Sequence, residues 1–561
     1  MKKALAIVFA ASLTAAAFSP AFAEEADEVV INACIASEPE TIDPNMESSV
    51  DGATYATHMF EGLVKYVPTD APAASDDTEY VDLLTNELGQ AESYEVSEDG
   101  LTYTFTLRDD IFWSDGEPVT AADFEYSWKR IVNPETAADY GYMLDGIVEN
   151  AAAIQAGEAD ADTLGIKAID DKTLEIKLEA DCPYFMGICS FAALMPLRQD
   201  VIEEFGAEWT NPENIVVNGP YILTDWVHDS YLEMAVNEKY YNLDAVGPDK
   251  IRWYLSDSQT QQLSSYQSGE YDFFDTLPAD QIESLIESGD AHTADQIGTY
   301  YLYLSCDNIP DWRVRAAITL CIDRDNIVEN VSQGGQTPAT SIVAAGITTN
   351  EGENWTDVYP ERMYTALSEM YPDYDLSVYS DRCDLAVQLL EEAVADGYDT
   401  SATIDYEYNT SDTHKAIAEA VQADVSSVLG LDIALNNSEW QTYTNNLSLG
   451  EFGMARLGWI ADYDDASTYI ELFTNGNSYN YGNWVNDEYT DLVMQAKALP
   501  GSAERDELLD QAEQMLFGEG GFTVCPIYWY TQQYCIKQDI RHAAWTPLGY
   551  FVLTYAERTA E

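Results

Sequence analysis

The sequence predicts a multi-domain α/β protein, and three observations carry that prediction. Apolar patterns of helical and strand period alternate along most of the chain. Its 561 residues favour two to four domains, at roughly 100 to 200 residues each. Its 12 Trp, 38 Tyr and 17 Phe can fill more than one core, which rules out a single small module.

In chain order, Val29-Val30-Ile31 predicts a buried strand, and Thr54 to Val64 carries a helical stripe at Ala56, Met59, Phe60 and Leu63. After a Pro/Ala/Ser/Asp stretch from 68 to 78, the Asp99-Gly100 turn opens a strand in which Leu101, Tyr103, Phe105 and Leu107 alternate with threonines. Thr120 to Asp123 resembles a capping box for a helix with Phe124, Trp128 and Ile131 on one face. Asp170-Asp171 separates two further strand patterns. An aromatic strand, a polar helix around Gln259 to Gln267 and the run Tyr271 to Leu277 fill the middle, before a helix pair from Arg313 to Val331. Helices at Asp384 to Asp396 and Thr413 to Leu429 end at Gly397 and Gly430, and strand patterns such as Leu431, Ile433, Leu435 predict parallel pairing. A helix at Ser502 to Phe517 precedes an aromatic strand at Cys525 to Tyr530.

The formal charge of -75, from 100 acidic against 25 Lys and Arg, repels phosphate backbones and anionic lipid, so nucleic acid is excluded as a partner class. Met1-Lys2-Lys3, the apolar run Ala4 to Phe18 and the small-x-small site Ala21-Phe22-Ala23 predict an export signal cleaved after Ala23 and a periplasmic location. The first cysteine, Cys34, lies beyond four acidic residues, so it is no lipoprotein anchor. The eight cysteines show no zinc spacing, which leaves disulfides or buried free thiols; short loops single out Cys182 with Cys189 and Cys525 with Cys535 as pairs. No metal or other cofactor is expected.

Catalytic signatures are missing: no serine-hydrolase elbow, no metalloprotease helix motif, no phosphate loop, and five scattered histidines. One acidic cluster stands out, Asp462, Asp464 and Asp465 after Arg456, Gly458 and Trp459. It reads as a surface turn capping a helix, as a calcium site, or as a buried carboxylate for a cationic ligand head.

Ser37 to Pro44, Phe60 to Leu63, Tyr94 to Arg130, Val217 to Tyr221, Arg313 to Ala317, Tyr408 to Lys415 and Ala455 to Tyr463 together resemble the solute-binding proteins of peptide ABC importers. The resemblance covers nearly the whole mature chain. It implies a two-lobed periplasmic binding protein, a hinged clamp with a third domain inserted in the first lobe. The implied boundaries are 1–23 for the signal peptide, 24–66 with 194–298 and 528–561 for lobe I, 67–193 for the inserted domain and 299–527 for lobe II.

It further implies a non-enzymatic monomer that captures oligopeptides and delivers them to ABC permease subunits in the membrane. By the same resemblance Asp462 holds the peptide ammonium, while Arg456 and His414 meet C-termini of different lengths. Gly458 and a segment near Glu38 pair with ligand main chain, and Trp459, Trp440 and Tyr140 form pocket walls. The chain departs from the family pattern at Leu447 and Ser332, where relatives carry basic residues, and at Ile460 and Gly298, where some carry a disulfide. The rival readings are the same fold binding dipeptides, nickel chelate, haem or oligosaccharide, and, in another class, a secreted carbohydrate-active enzyme.

Overall fold

A long mixed sheet forms the backbone of the computed structural model, which describes residues 28–36, 38–68, 81–546 and 549–559. The export signal lies outside the described residues. The sheet order is Ile433–Ser438, Ile404–Asn409, Met454–Ile460, Ala291–Leu304, Val524–Ile536, Phe273–Phe274, Val30–Ala36, Lys250–Leu255, Tyr231–Val236 and Tyr221–Val227. Val30–Ala36 runs parallel to Lys250–Leu255, and Ile404–Asn409 runs parallel to Ile433–Ser438, as the α/β alternation predicts.

The two longest strands, Ala291–Leu304 and Val524–Ile536, pass through both halves of this sheet. Their antiparallel pairing steps from Asp295 opposite Thr531 to Thr299 opposite Trp529, so three residues, 296 to 298, face the single residue Tyr530. Such a bulge breaks the ladder and bends it, which divides the sheet into two lobes at that point. The sequence prediction of Cys525 to Tyr530 covers only the first half of its strand; the polar half escapes a pattern search because it pairs beyond the bulge.

A separate antiparallel sheet, ordered Ala91–Val96, Thr102–Leu107, Thr173–Lys177 and Ile166–Asp170, carries helix Ala121–Val132 against it. That helix starts where the sequence places it: the Asp123 carboxylate accepts the Thr120 N–H at 2.8 Å, and Phe124, Trp128 and Ile131 are buried. This unit leans on the far lobe through Tyr184 and Tyr463, whose rings stack at 4.2 Å. The fold is thus the two-lobed clamp with an inserted third unit.

Two expectations need correction. The helix foreseen from Thr54 to Val64 spans Val50–Met59, because Asn218 draws the chain out of it: Asn218 Nδ2 donates to the Glu61 carbonyl at 2.8 Å, and Gly219 N–H donates to the Met59 carbonyl. Neither foreseen disulfide forms. Cys525 and Cys535 sit on one strand ten residues apart, about 33 Å at 3.3 Å per residue. Cys182 and Cys189 are both buried free thiols. No helix among the described residues is long and apolar enough to cross a membrane.

Candidate functional site

The central cavity, about 320 Å³, lies between the two lobes and the inserted unit. Glu38, Tyr140, His414, Trp440, Arg456, Gly458 and Trp459 all line it. Asp462 lines a smaller cavity next door, which shares Ser49, Val50, Tyr140 and Ile460 with the first. Seven of the eight sequence-predicted residues therefore line the central cavity, and the eighth, Asp462, lines the one beside it.

Strand Met454–Ile460 supplies most of one wall. Ala461 N–H donates to the Ile297 carbonyl at 2.9 Å, so by the two-residue alternation of an antiparallel ladder Trp459 and Leu457 also turn their backbone toward Ala291–Leu304. Gly458 and Ile460 turn theirs to the opposite edge. There the neighbouring strand Ile404–Asn409 pairs only with Met454 and Ala455 and then diverges. The edge at Gly458 is open to the cavity. A Cβ at Gly458 would collide with the Tyr530 hydroxyl, so glycine is the residue that lets this ring close over the strand.

Past the strand, the chain turns on Thr468. Its Oγ1 accepts the Trp459 indole N–H and the Asp462 N–H, both at 3.2 Å. This holds the Asp462 carboxyl inward, 7 % exposed, where Oδ1 accepts the Tyr140 hydroxyl at 3.2 Å. No Lys, Arg or His among the described residues forms an ion pair with it. Burial, with the Glu471 carboxylate behind it, pushes the Asp462 carboxyl well above the ordinary range. It is a buried acid without a cationic partner among the described residues.

The other two carboxylates of the cluster face elsewhere. Asp465 forms a two-pronged pair with Arg505 at 2.6 and 2.8 Å and accepts the Ser467 N–H at 2.9 Å, capping the short helix Ser467–Ile470. Asp464 accepts the Thr348 N–H and hydroxyl, each at 2.8 Å. Among the described residues no group of three or more His, Cys, Asp or Glu side chains is placed to hold a metal.

At the other end, Arg456 Nη1 donates to Asn409 Oδ1 at 2.9 Å and its guanidinium lies over the Tyr300 ring at 5.2 Å. Its Nε is buried without a hydrogen-bond partner among the described residues. His414, held by the Tyr300 hydroxyl at 3.4 Å, is kept neutral by burial and by Arg456. Leu447 fills the wall nearby with apolar surface. Ser332 does not line the cavity. Gly298 and Ile460 are cross-strand partners, and the Ile460 side chain covers the space a Gly298 Cβ would take.

Trp440 opens helix Trp440–Leu449 at the cavity edge, and the Trp459 ring meets Tyr479 edge-on at 4.7 Å. Glu38 lines the cavity, but its carboxylate is engaged outside it, by His228 Nδ1 at 2.7 Å and the Asp229 N–H at 2.8 Å. Sequence reasoning missed Ser48 to Asp51, Tyr479 and Tyr530 as lining residues. Asp51 lies in the first turn of helix Val50–Met59, and burial pushes it up to about 7, against the pull of Arg456. A Ser-Ser-Val-Asp start reads only as a helix cap, so its sequence carries no signal of a cavity.

The two lobes touch beside the cavity, where Gln259 Nε2 donates to Thr413 Oγ1 at 2.9 Å.

The profile described as "Bacterial extracellular solute-binding proteins, family 5 Middle" matches residues 87–481. The periplasmic oligopeptide-binding protein OppA of Salmonella typhimurium is 30 % identical, over 95 % of this chain and 93 % of its own. The probable deoxycholate-binding periplasmic protein YgiS of Escherichia coli is 32 % identical, over 88 % and 86 %. Among solved structures, the Escherichia coli murein tripeptide binding protein MppA superposes with a TM-score of 0.83 at 28 % identity, covering 96 % of this chain and 99 % of that one. Its unliganded open form, at 28 % identity and covering 96 % and 98 %, reaches only 0.60.

Proposed function

The chain belongs to the bacterial extracellular solute-binding proteins of family 5, which bind their solutes and are not enzymes, and from that premise we propose that it captures oligopeptides and hands them to an ABC permease. The observation that carries this reading is Asp462: a buried carboxyl without a cationic partner, at one end of an open strand edge. An extended peptide satisfies both, its ammonium at Asp462 and its main chain along Gly458. Backbone pairing serves many sequences alike, because every peptide offers the same N–H and C=O groups. Arg456, and His414 as a neutral donor, stand ready for the C-terminal carboxylate.

Arg456 and Asp462 are six positions apart, at most about 20 Å along an extended chain, and after side-chain reach this suits peptides of about three to five residues. Export by the segment cleaved after Ala23 fits capture outside the cytoplasm. Deoxycholate, the solute in one relative's name, is an anion and brings no ammonium for Asp462.

Calorimetry with a tripeptide tests the reading. Asp462→Ala is expected to cost about 2 to 5 kcal/mol of binding, as removal of one partner from a buried charge pair does. An unchanged dissociation constant overturns it, as does tighter binding of deoxycholate than of any tripeptide.

A further inference from the structure

Glu47 stands on the lobe opposite Asp462, just before helix Val50–Met59, and is 4 % exposed. One carboxylate oxygen is fully used at home: Oε1 accepts the Ser48 N–H at 3.0 Å and the Ser49 N–H and hydroxyl, each at 2.6 Å. The other, Oε2, is buried with no hydrogen-bond partner among the described residues. A buried carboxylate oxygen left bare is costly, so its exceptions ask for a ligand.

The small cavity beside the main one answers that question. Its volume is about 20 Å³, and Glu47, Asp462, Tyr140 and Tyr550 line it together. That is room for one water-sized group, and an alkylammonium head has that size. The larger cavity adjoins it at Ser49, Val50 and Tyr140, which line both, and has the room for the body of such a ligand. Gly52 makes the seat possible, since a Cβ there would collide with the Glu47 carboxyl.

We propose that Glu47 is a second ammonium-binding residue, so that the ligand head is gripped by carboxylates from both lobes at once. This deepens the peptide reading and rests on it. Two carboxyls facing one small space cannot both ionise without a cation between them. Burial pushes Glu47 up to about 8, with Asp51 adding to it, and burial followed by Glu471 raises Asp462. Tyr140 and Tyr550 are the remaining titratable groups at the cavity, and both are phenols held protonated by burial. A cation between the two acids restores both charges, and it does so only while the lobes are together. The head group thereby becomes a latch for closure. The chemical class selected is a primary ammonium at the end of an extended chain.

The test is calorimetry with trialanine and with N-acetyl-trialanine on the wild-type protein, on Glu47→Gln and on Gly52→Ala, which displaces the carboxylate without removing it. Wild type is expected to prefer the free amine. In both variants that preference shrinks about tenfold or more, the loss of one charged hydrogen bond, while affinity for the acetylated peptide does not fall. If wild type binds both peptides alike, the reading of the ammonium site fails. If wild type prefers the amine and the variants keep the full preference, or weaken both peptides equally, the assignment of Glu47 alone is overturned. Should Glu47→Gln fail to fold, Gly52→Ala decides.

Discussion

The phenol of Tyr140 donates to Oδ1 of Asp462 at 3.2 Å, joining groups 322 residues apart in the chain. The bond ties the inserted unit to the far lobe at the point where a ligand's positive head is expected. Removing the hydroxyl takes away one of the few donors that support the ionised carboxylate. Tyr140→Phe keeps the ring against Phe191 and Trp459, so the expected loss of tripeptide affinity is about 1 to 2 kcal/mol, smaller than for Asp462→Ala. Calorimetry on the two variants side by side checks it, and equal losses reject the supporting role.

Gly458 offers a steric test of the open edge. In Gly458→Ala the new methyl meets the Tyr530 hydroxyl, which forces ring or strand to move at a cost of about 1 to 3 kcal/mol. Peptide affinity is expected to drop by about tenfold or more, and Tyr530→Phe in the same chain to recover part of it. Dissociation constants of the four proteins give the cycle. Independent, additive effects would count against the contact.

Asp465 separates stability from binding. Its pair with Arg505 is buried on both sides, with the side chains 7 % and 1 % exposed. Breaking such a pair from one side costs about 3 to 5 kcal/mol. Asp465→Asn is therefore expected to lower the urea midpoint strongly while leaving the tripeptide dissociation constant of the folded protein nearly unchanged. The opposite pattern would place Asp465 in the ligand site.

His58 predicts an acid sensitivity. The ring is buried; Nε2 accepts the Leu553 N–H at 3.0 Å, so Nδ1 carries the proton and donates to the Thr54 carbonyl at 2.7 Å. Burial lowers its pKa to about 4. Between about 4 and the ordinary 6.5 the unfolded chain binds more protons than the folded one, so this contribution to stability is lost as pH falls through that window. In His58→Gln the drop in urea midpoint from pH 7 to pH 4.5 is expected to be smaller than in wild type. An identical drop removes His58 as a cause.

Local signals were the legible ones. The Thr120 to Asp123 box, the threonine-alternating strand and the glycine stop at Gly430 are settled by neighbours within a few residues, and they stand where the pattern places them. The long strand Val524–Ile536 was only half legible, because its second half is polar and is held by pairing across the sheet. Asp51, Tyr530 and Glu47 carry no motif at all. What makes them part of a cavity is which surface closes over them, and that surface comes from the other lobe.

By itself the sequence determined the α/β class, the strongly acidic character and the family, since those depend on composition and on ordered motifs along the chain. Tertiary structure alone decided which of Asp462, Asp464 and Asp465 faces the cavity. Three carboxylates within a four-residue stretch are chemically alike until Thr468, Arg505 and Thr348 each capture a different direction. Only the first then lines the cavity, met there by the Tyr140 hydroxyl and by no Lys, Arg or His among the described residues.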